Sequence, residues 1–262
     1  MMRKPLVAAQ LYTIRDFTKT PADLDKSMER IKSIGYKAVQ VSGIGPMDHQ
    51  QVKDIMDKHG LTICATHISF EKMQEDLDDV VHQHKLWNCK YVGVSIMPEK
   101  YRTSKEGYVA FAKEASEIGK RLADEGLKFI YHNHHFEFVK FDGVLGMDIL
   151  LNESDPEDFG FEIDTFWVQT GGCNPVDWID KLAGRMQVVH FKDMVMNIDD
   201  KGEIKPIMAE VGEGNLNWPD IIDACIKTNV EWVAVEQDIC QRDPFESLEI
   251  SLKNLKEFGL NS

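Results

Sequence analysis

In 262 residues the chain alternates short β-rich runs with amphipathic helical segments eight times, and no Pro/Ser-rich linker or low-complexity tract interrupts the alternation. Strand–helix alternation implies a parallel sheet, and eight repeats at this length imply that the sheet closes on itself. The predicted fold class is therefore α/β, a (β/α)8 TIM barrel that takes residues 1–262 as a single domain. An open, doubly wound sheet is the lesser option. No G-x-G-x-x-G follows the first strand to support dinucleotide binding.

The expected strands are Leu6–Tyr12, Ala38–Ser42, Thr62–His67 and Tyr91–Ile96, then Lys128–His134, Phe159–Thr165, Gln187–Lys192 and Trp232–Gln237. Each is nearly continuous in apolar residues, as a parallel strand buried on both faces should be. Between them, segments such as ADLDKSMERIKSIG, MDHQQVKDIMDKHG and GYVAFAKEASEIGKRLADEG place apolar residues at helical spacing. These three end at Gly35, Gly60 and Gly126, a C-cap signal. Pro21, Pro156, Pro175 and Pro219 are expected near helix starts, where a missing N–H removes no bond.

With 30 Lys+Arg against 44 Asp+Glu, the net charge is −14; 43% of residues are hydrophobic and 28% charged. That composition is globular and too apolar for disorder. The acidity argues against a nucleic-acid partner, since phosphate binding needs clustered Lys and Arg. No stretch approaches the roughly 20 consecutive apolar residues that span a bilayer. The start, MMRKPLVAAQLYT, runs from a basic pair straight into a strand, without a signal-peptide apolar core. Cys64, Cys89, Cys173, Cys225 and Cys240 are odd in number and form no C-x-x-C pair, which favours reduced thiols in a cytoplasm. A cytoplasmic protein without a membrane partner is expected.

Active sites of such barrels lie at the C-terminal ends of the strands. Polar residues gather there: Gln10 and Tyr12, His67, His132 to His134, Glu162 and Asp164, His190 and Lys192, Glu236 and Asp238. Strand residues two apart share a face, so His132 pairs with His134, Glu162 with Asp164, His190 with Lys192 and Glu236 with Asp238. A buried ionisable group is costly unless it is paired or binds metal. His132, Asp164, His190 and Glu236 come from four successive strands, and their mixed imidazole and carboxylate donors suit one divalent ion. Mn²⁺, Zn²⁺ or Co²⁺ fits better than Mg²⁺.

Lys192, in register with His190, is expected to contact a substrate oxygen or carboxylate. Glu162 either orients a ligand or partners Lys192. Trp167 is a platform for a sugar ring or a packing residue at the rim, and Trp218 packs at a helix start. Arg15 could pair with a Glu or a substrate anion, and Glu213 lies in a loop over the mouth or a plain surface turn. His82 and His84 are two apart on a helix and do not face each other; both are expected to face solvent. The EDLDD and NIDDKGE runs are expected to be solvated, and Met194 and Met196 to pack in a loop.

Several segments then carry a resemblance: QLYTIRD at the first strand, His67 in ATHIS, and YHNHHFEF at the fifth strand, followed by FEIDTFWVQTGG, VVHFKD, VGEGNLNW and VEQD…DPFESL. Over essentially the whole length the chain resembles the xylose-isomerase-like barrel superfamily. That superfamily holds sugar isomerases, ketose 3-epimerases, inosose dehydratases and DNA-repair enzymes of the endonuclease IV type. The chain is most similar to proteins called sugar phosphate isomerase/epimerase. The resemblance implies one divalent metal on Asp164, His190, Glu236 and a group from the fifth strand. The epimerases carry a carboxylate there, in a pattern similar to E-N-H; this chain has H-N-H, which assigns the position to His132, as in the dehydratase pattern. Related enzymes often carry a His where this chain has Trp167.

The resemblance thus implies a metal-dependent sugar isomerase or epimerase that abstracts a proton α to a carbonyl through a metal-stabilised enediolate, with Glu236 as base. His134, Glu137 and Lys192 are candidates for the second acid/base, and Gln10, Tyr12, His67 and Trp167 for substrate contacts. The alternative is an inosose-dehydratase-like lyase acting on a keto-sugar or cyclitol. It shares the first proton abstraction and differs in losing a β-hydroxyl. A remote alternative, endonuclease IV-type repair, resembles a trinuclear zinc site that needs more ligands than this chain places, and the negative charge opposes it. The expected partner is a small sugar or keto-sugar, with association into a homo-oligomer possible. No Gly-rich cradle supports a phosphorylated substrate.

Overall fold

A computed structural model describes residues 3–262; Met1 and Met2, part of the expected N-terminal run into the first strand, lie outside the described residues. Eight strands form the barrel: β1 (Leu6–Gln10), β2 (Ala38–Val41), β3 (Thr62–Ile68), β4 (Tyr91–Val94), β5 (Lys128–His132), β6 (Phe159–Asp164), β7 (Met186–Phe191) and β8 (Trp232–Val235). Each is parallel to the next, and β8 pairs with β1, so the sheet is closed. Closure removes the free sheet edges.

Among the described residues ten α-helices cover the barrel: α1 (Pro21–Ile34), α2 (His49–His59), α3 (Phe70–Glu75), α4 (Leu77–Leu86), α5 (Lys105–Asp124), α6 (Gly146–Glu153), α7 (Thr165–Thr170), α8 (Pro175–Lys181), α9 (Trp218–Lys227) and α10 (Pro244–Glu257). Side-chain oxygens of Thr20, Asp48, Ser69 and Ser104 accept first-turn N–H groups, which satisfies donors the helix leaves open. Gly35 (φ +115°) and Gly60 (φ +61°) end α1 and α2 in the left-handed region, as their spacing implies. Pro21 and Pro175 open helices and Pro219 lies in the first turn of α9. Pro156 does not: it lies in a turn before β6, where the Asp155 carboxylate accepts from Glu157 N at 2.8 Å.

Several strands end earlier than the apolar runs suggest. After β1 the Gln10 side chain accepts from Tyr12 N at 3.3 Å and the chain turns into a 3₁₀ helix over Leu11–Phe17. After β5, His134 N donates to the Glu137 carboxylate at 2.9 Å, bending the chain away from the sheet. Tyr12, His134, Lys192 and Glu236 therefore stand on the first residues past their strands, at the barrel mouth.

Two further departures lie outside the barrel. Between β7 and β8 an antiparallel hairpin, Asp193–Ile198 with Ile204–Ala209, replaces the loop expected around Met194 and Met196, and Met196 is 53% exposed. His84 is fully buried in α4, bonding Thr66 Oγ1 at 2.6 Å and Val80 O at 2.7 Å, so it does not face solvent as expected; His82 does. The helical pattern of that segment hid a polar residue whose two ring nitrogens both find partners indoors. All five cysteines are free thiols, and among the described residues no helix is long and apolar enough to cross a membrane.

Candidate active site

The strand alternation sets two layers inside the barrel. Ala8, Ala38, Ala65, Ile130 and Val188 fill its floor. Two residues further along the same strands stand Gln10, Gln40, His67, His132 and His190, facing the same interior one layer nearer the mouth. On β4 the corresponding position is Gly93, paired with His67. A Cβ there would meet Thr66 O at 2.4 Å and the His67 ring at 2.9 Å, so glycine leaves the ring its space.

His132, Asp164, His190 and Glu236, all buried, bring one donor atom each to within 4.8 Å of one another. Both imidazoles are aimed. His132 Nδ1 lies 3.0 Å from Ser95 O, which turns Nε2 toward Asp164 Oδ2 at 3.2 Å. His190 Nε2 lies 2.9 Å from Gln40 Oε1 and 3.3 Å from Glu162 Oε1, which turns Nδ1 toward Glu236 Oε2 at 2.9 Å. Holding the outer nitrogen of each ring is how proteins fix the tautomer of a metal-ligating histidine.

Glu162 has a clear place among the two that its parity allowed. It accepts from Gln40 Nε2 at 2.9 Å and contacts His67 Nε2 at 2.6 Å as well as His190, so it orients imidazoles and does not partner Lys192. Burial alone would raise its pKa, but the His190 and His67 rings outweigh burial and hold the carboxyl well below the usual range.

The ammonium of Lys192 is buried among three carboxylates, 2.7 Å from Glu236 Oε2, 3.0 Å from Asp164 Oδ2 and 3.1 Å from Asp238 Oδ2. Burial alone would favour the neutral amine, but these carboxylates overcome it and hold the side chain charged. In return Lys192 and His190 keep Glu236 ionised, against a burial effect of the opposite sign. A divalent cation fits this set: Asp164, Glu162, Glu236 and Asp238 outnumber the local cations, and the two aimed imidazoles complete a mixed nitrogen and oxygen donor set.

The mouth opens as a cavity of about 270 Å³, room for a monosaccharide. His67, His132 and Glu236 form its deep wall, and Tyr12, Ile96 and Asp238 its rim. His134 lines it too; its ring lies parallel to Phe136 at 5.6 Å. Burial, with His132 nearby, lowers its pKa to about 2 and keeps it neutral, and its Nδ1 has no partner.

Other expected residues fall elsewhere. Gln10 is buried beneath the mouth and does not line the cavity. Trp167 packs at the side, 5.3 Å from the His134 and His135 rings, with the Lys192 ammonium 5.5 Å from its own ring. Glu137 is a correction to the acid/base expectation. Its carboxylate is taken by the Tyr131 hydroxyl and His134 N, and Tyr131 packs on Phe111 of α5 and Phe159 of β6, so it braces the turn from behind. Burial raises its pKa to about 7, and it does not line the cavity. Arg15 donates to Tyr12 O and Asp238 O, both at 3.0 Å, and Glu213 is exposed in a surface turn, bonded by Asn254. Trp218 packs as expected and donates from Nε1 to Asp193.

Gln40 was missed. Its signal was a lone amide in the apolar run Ala38–Val41, in register with the floor residue Ala38. Ser42 and Ser95, which also line the cavity, give no such signal.

A closed parallel barrel with an imidazole and carboxylate cluster at its C-terminal mouth defines a class of barrel enzymes. The sequence profile described as Xylose isomerase-like TIM barrel matches residues 28–258, and the chain belongs to that family. It is 25% identical to an inosose dehydratase of Clostridium beijerinckii, over 89% of each chain. In structure it resembles a sugar phosphate isomerase/epimerase from Parabacteroides distasonis, with a TM-score of 0.79 and 20% identity, over 97% of this chain and 93% of the other. A Xylose isomerase-like TIM barrel protein from Mycobacterium smegmatis, crystallised in complex with magnesium, gives a TM-score of 0.72 at 11% identity over 94% of each chain.

Proposed function

We propose that this mouth is a metal-assisted lyase site that removes a proton α to the carbonyl of a keto-sugar or keto-cyclitol and expels the β-hydroxyl as water. The observation that carries the reading is the contact of Glu236 Oε2 with Lys192 Nζ at 2.7 Å, a base and an acid side by side on one wall. Glu236 contacts fall on Oε2, which leaves Oε1 to take the substrate proton. The electron pair from the broken C–H bond is first delocalised into the carbonyl. It then forms the α–β double bond as the β C–O bond breaks. The departing hydroxide, basic enough to deprotonate an ammonium, takes a proton from Lys192 Nζ. The proton held by Glu236 returns to Lys192, so the protein ends as it began and the substrate has lost one water.

His132, Asp164, His190 and Glu236 would hold the divalent ion, which when bound polarises the substrate carbonyl as a Lewis acid. His67 and Tyr12 face the cavity as substrate contacts. The 25% identity with an inosose dehydratase supports the lyase outcome.

Isomerisation or epimerisation shares the first proton abstraction, and the unpaired Nδ1 of His134 on the β5 side favours it. Against it, a His134 held neutral carries no readily given proton for the far face. Product mass decides. With metal-loaded protein, inosose and a set of ketoses, loss of one water supports the lyase. Unchanged mass with deuterium taken up from solvent at the α carbon supports the epimerase, and no reaction by any member sinks both.

A further inference from the structure

We infer that the substrate of this mouth is uncharged, and that sugar phosphates are excluded because the protein's own carboxylates occupy the groups that would bind a phosphate. The inference rests on the lyase reading of the site.

Among the residues lining the cavity, the charged ones are Glu236, Asp238 and Lys192. An ammonium has three hydrogens, and the Lys192 ammonium already faces three carboxylates: Asp164 at 3.0 Å, Glu236 at 2.7 Å and Asp238 at 3.1 Å. It can yield one hydrogen to a departing hydroxide, but it cannot neutralise a phosphate dianion without abandoning two buried acids. Arg15, next to the rim residues Tyr12 and Asp238, lies over the Tyr12 ring at 4.4 Å and donates to Tyr12 O and to Asp238 O.

Barrels of this class commonly cradle phosphate on backbone N–H groups of the loops after the seventh and eighth strands. Here the donors folded over the end of β7 and those of the first turn of α10 are filled from within. After β7, the N–H groups of Gly212, Gly214 and Leu216 and the Trp218 indole all point at the Asp193 carboxylate, at 2.9, 3.0, 3.3 and 2.6 Å. A Cβ on Gly214 would meet Asp193 Oδ1 at 2.3 Å, so the loop is wrapped closely on that carboxylate. After β8, Asp243 Oδ1 takes the first free N–H groups of α10, from Phe245 at 2.9 Å and Glu246 at 3.3 Å.

Asp238 is then the specificity-determining residue. Its carboxylate stands at the rim, 21% exposed, where it would repel an incoming anion. A neutral polyol loses nothing there, because carboxylates accept its hydroxyls.

The test uses the metal-loaded protein and a panel of ketoses and inososes, each paired with its monophosphate, read by product mass and kcat/KM. Wild type should favour the neutral member by at least roughly 100-fold, and Asp238→Asn should narrow the gap by about tenfold, since one repelling charge is removed. Equal or better use of the phosphates would overturn this inference and leave the lyase reading standing. Turnover of neither member would overturn the lyase reading itself. Calorimetry with inorganic phosphate then decides the charge question separately: no saturation below about 10 mM supports exclusion, and sub-millimolar binding overturns it.

Discussion

The floor and the mouth of the barrel are built on the same strands, two residues apart, yet they do opposite work. On β7 the floor residue is Val188 and the mouth residue His190; on β5 they are Ile130 and His132; on β2, Ala38 and Gln40. The floor is small and apolar and makes no use of charge. Another cavity, of about 180 Å³, opens at the N-terminal ends of β5 to β7, and Arg185 in its lining donates to the carbonyls of Leu151, Asp155 and Phe159. At the mouth, by contrast, the buried carboxylates of Glu162, Asp164 and Glu236 each face an imidazole or an ammonium. Floor residues should therefore govern stability, and mouth residues chemistry.

The largest expected effect is at the mouth. Glu236→Gln should reduce turnover by about 10³-fold or more while leaving circular dichroism and thermal unfolding near wild type; near-normal turnover would remove Glu236 as the base. Next, His190→Ala should weaken metal binding by more than roughly 100-fold, the loss of a direct ligand exceeding the 10–100-fold typical of an outer partner. Elemental analysis of dialysed protein checks it, and unchanged metal content would dissolve the proposed centre. At the floor, Ile130→Ala should cost about 3 kcal/mol of stability in denaturant titration, with activity per folded molecule retained. If that variant instead loses activity without losing stability, the division between the layers fails.

The smallest effect lies outside both layers. Burial holds His84 at a pKa of about 4, below its ordinary 6.5. The unfolded chain therefore binds a proton that the folded chain refuses, and stability present above pH 6.5 falls as pH drops toward 4. Between pH 7 and pH 4.5 wild type should lose roughly 2–3 kcal/mol more than His84→Gln. Equal losses would mean that the ring is protonated in place.

The barrel was legible because its strands are apolar on both faces, and polar residues at their ends stood out against that background. His132, Asp164, His190 and Glu236 could be picked out by that contrast, and the structure brings them together. What was hidden depended on contacts that strand parity does not carry. Glu137 is close in sequence to His134, but the turn aims its carboxylate at Tyr131, outside the barrel. Asp193, next to Lys192, lies outside the parity argument, and its role emerges only when a loop some twenty residues later folds onto it. His84 looked like half of a surface pair because a helix period says which side chains share a face, not which face is buried. The hairpin after β7 was unread because its exposed face carries Met196, Ile198 and Ile204, a strand pattern without a sheet to complete it.

Gly93 gives this ring of groups its one deliberate gap. Because β4 contributes no side chain, the imidazole of its neighbour leans across and reaches the Glu162 carboxylate. The two positions are thus a lock and its clearance, and in descent they should travel as a unit. A lineage that acquires alanine at 93 must re-aim the histidine at 67 and also shift the β3 backbone at Thr66, so discarding His67 alone does not free the position.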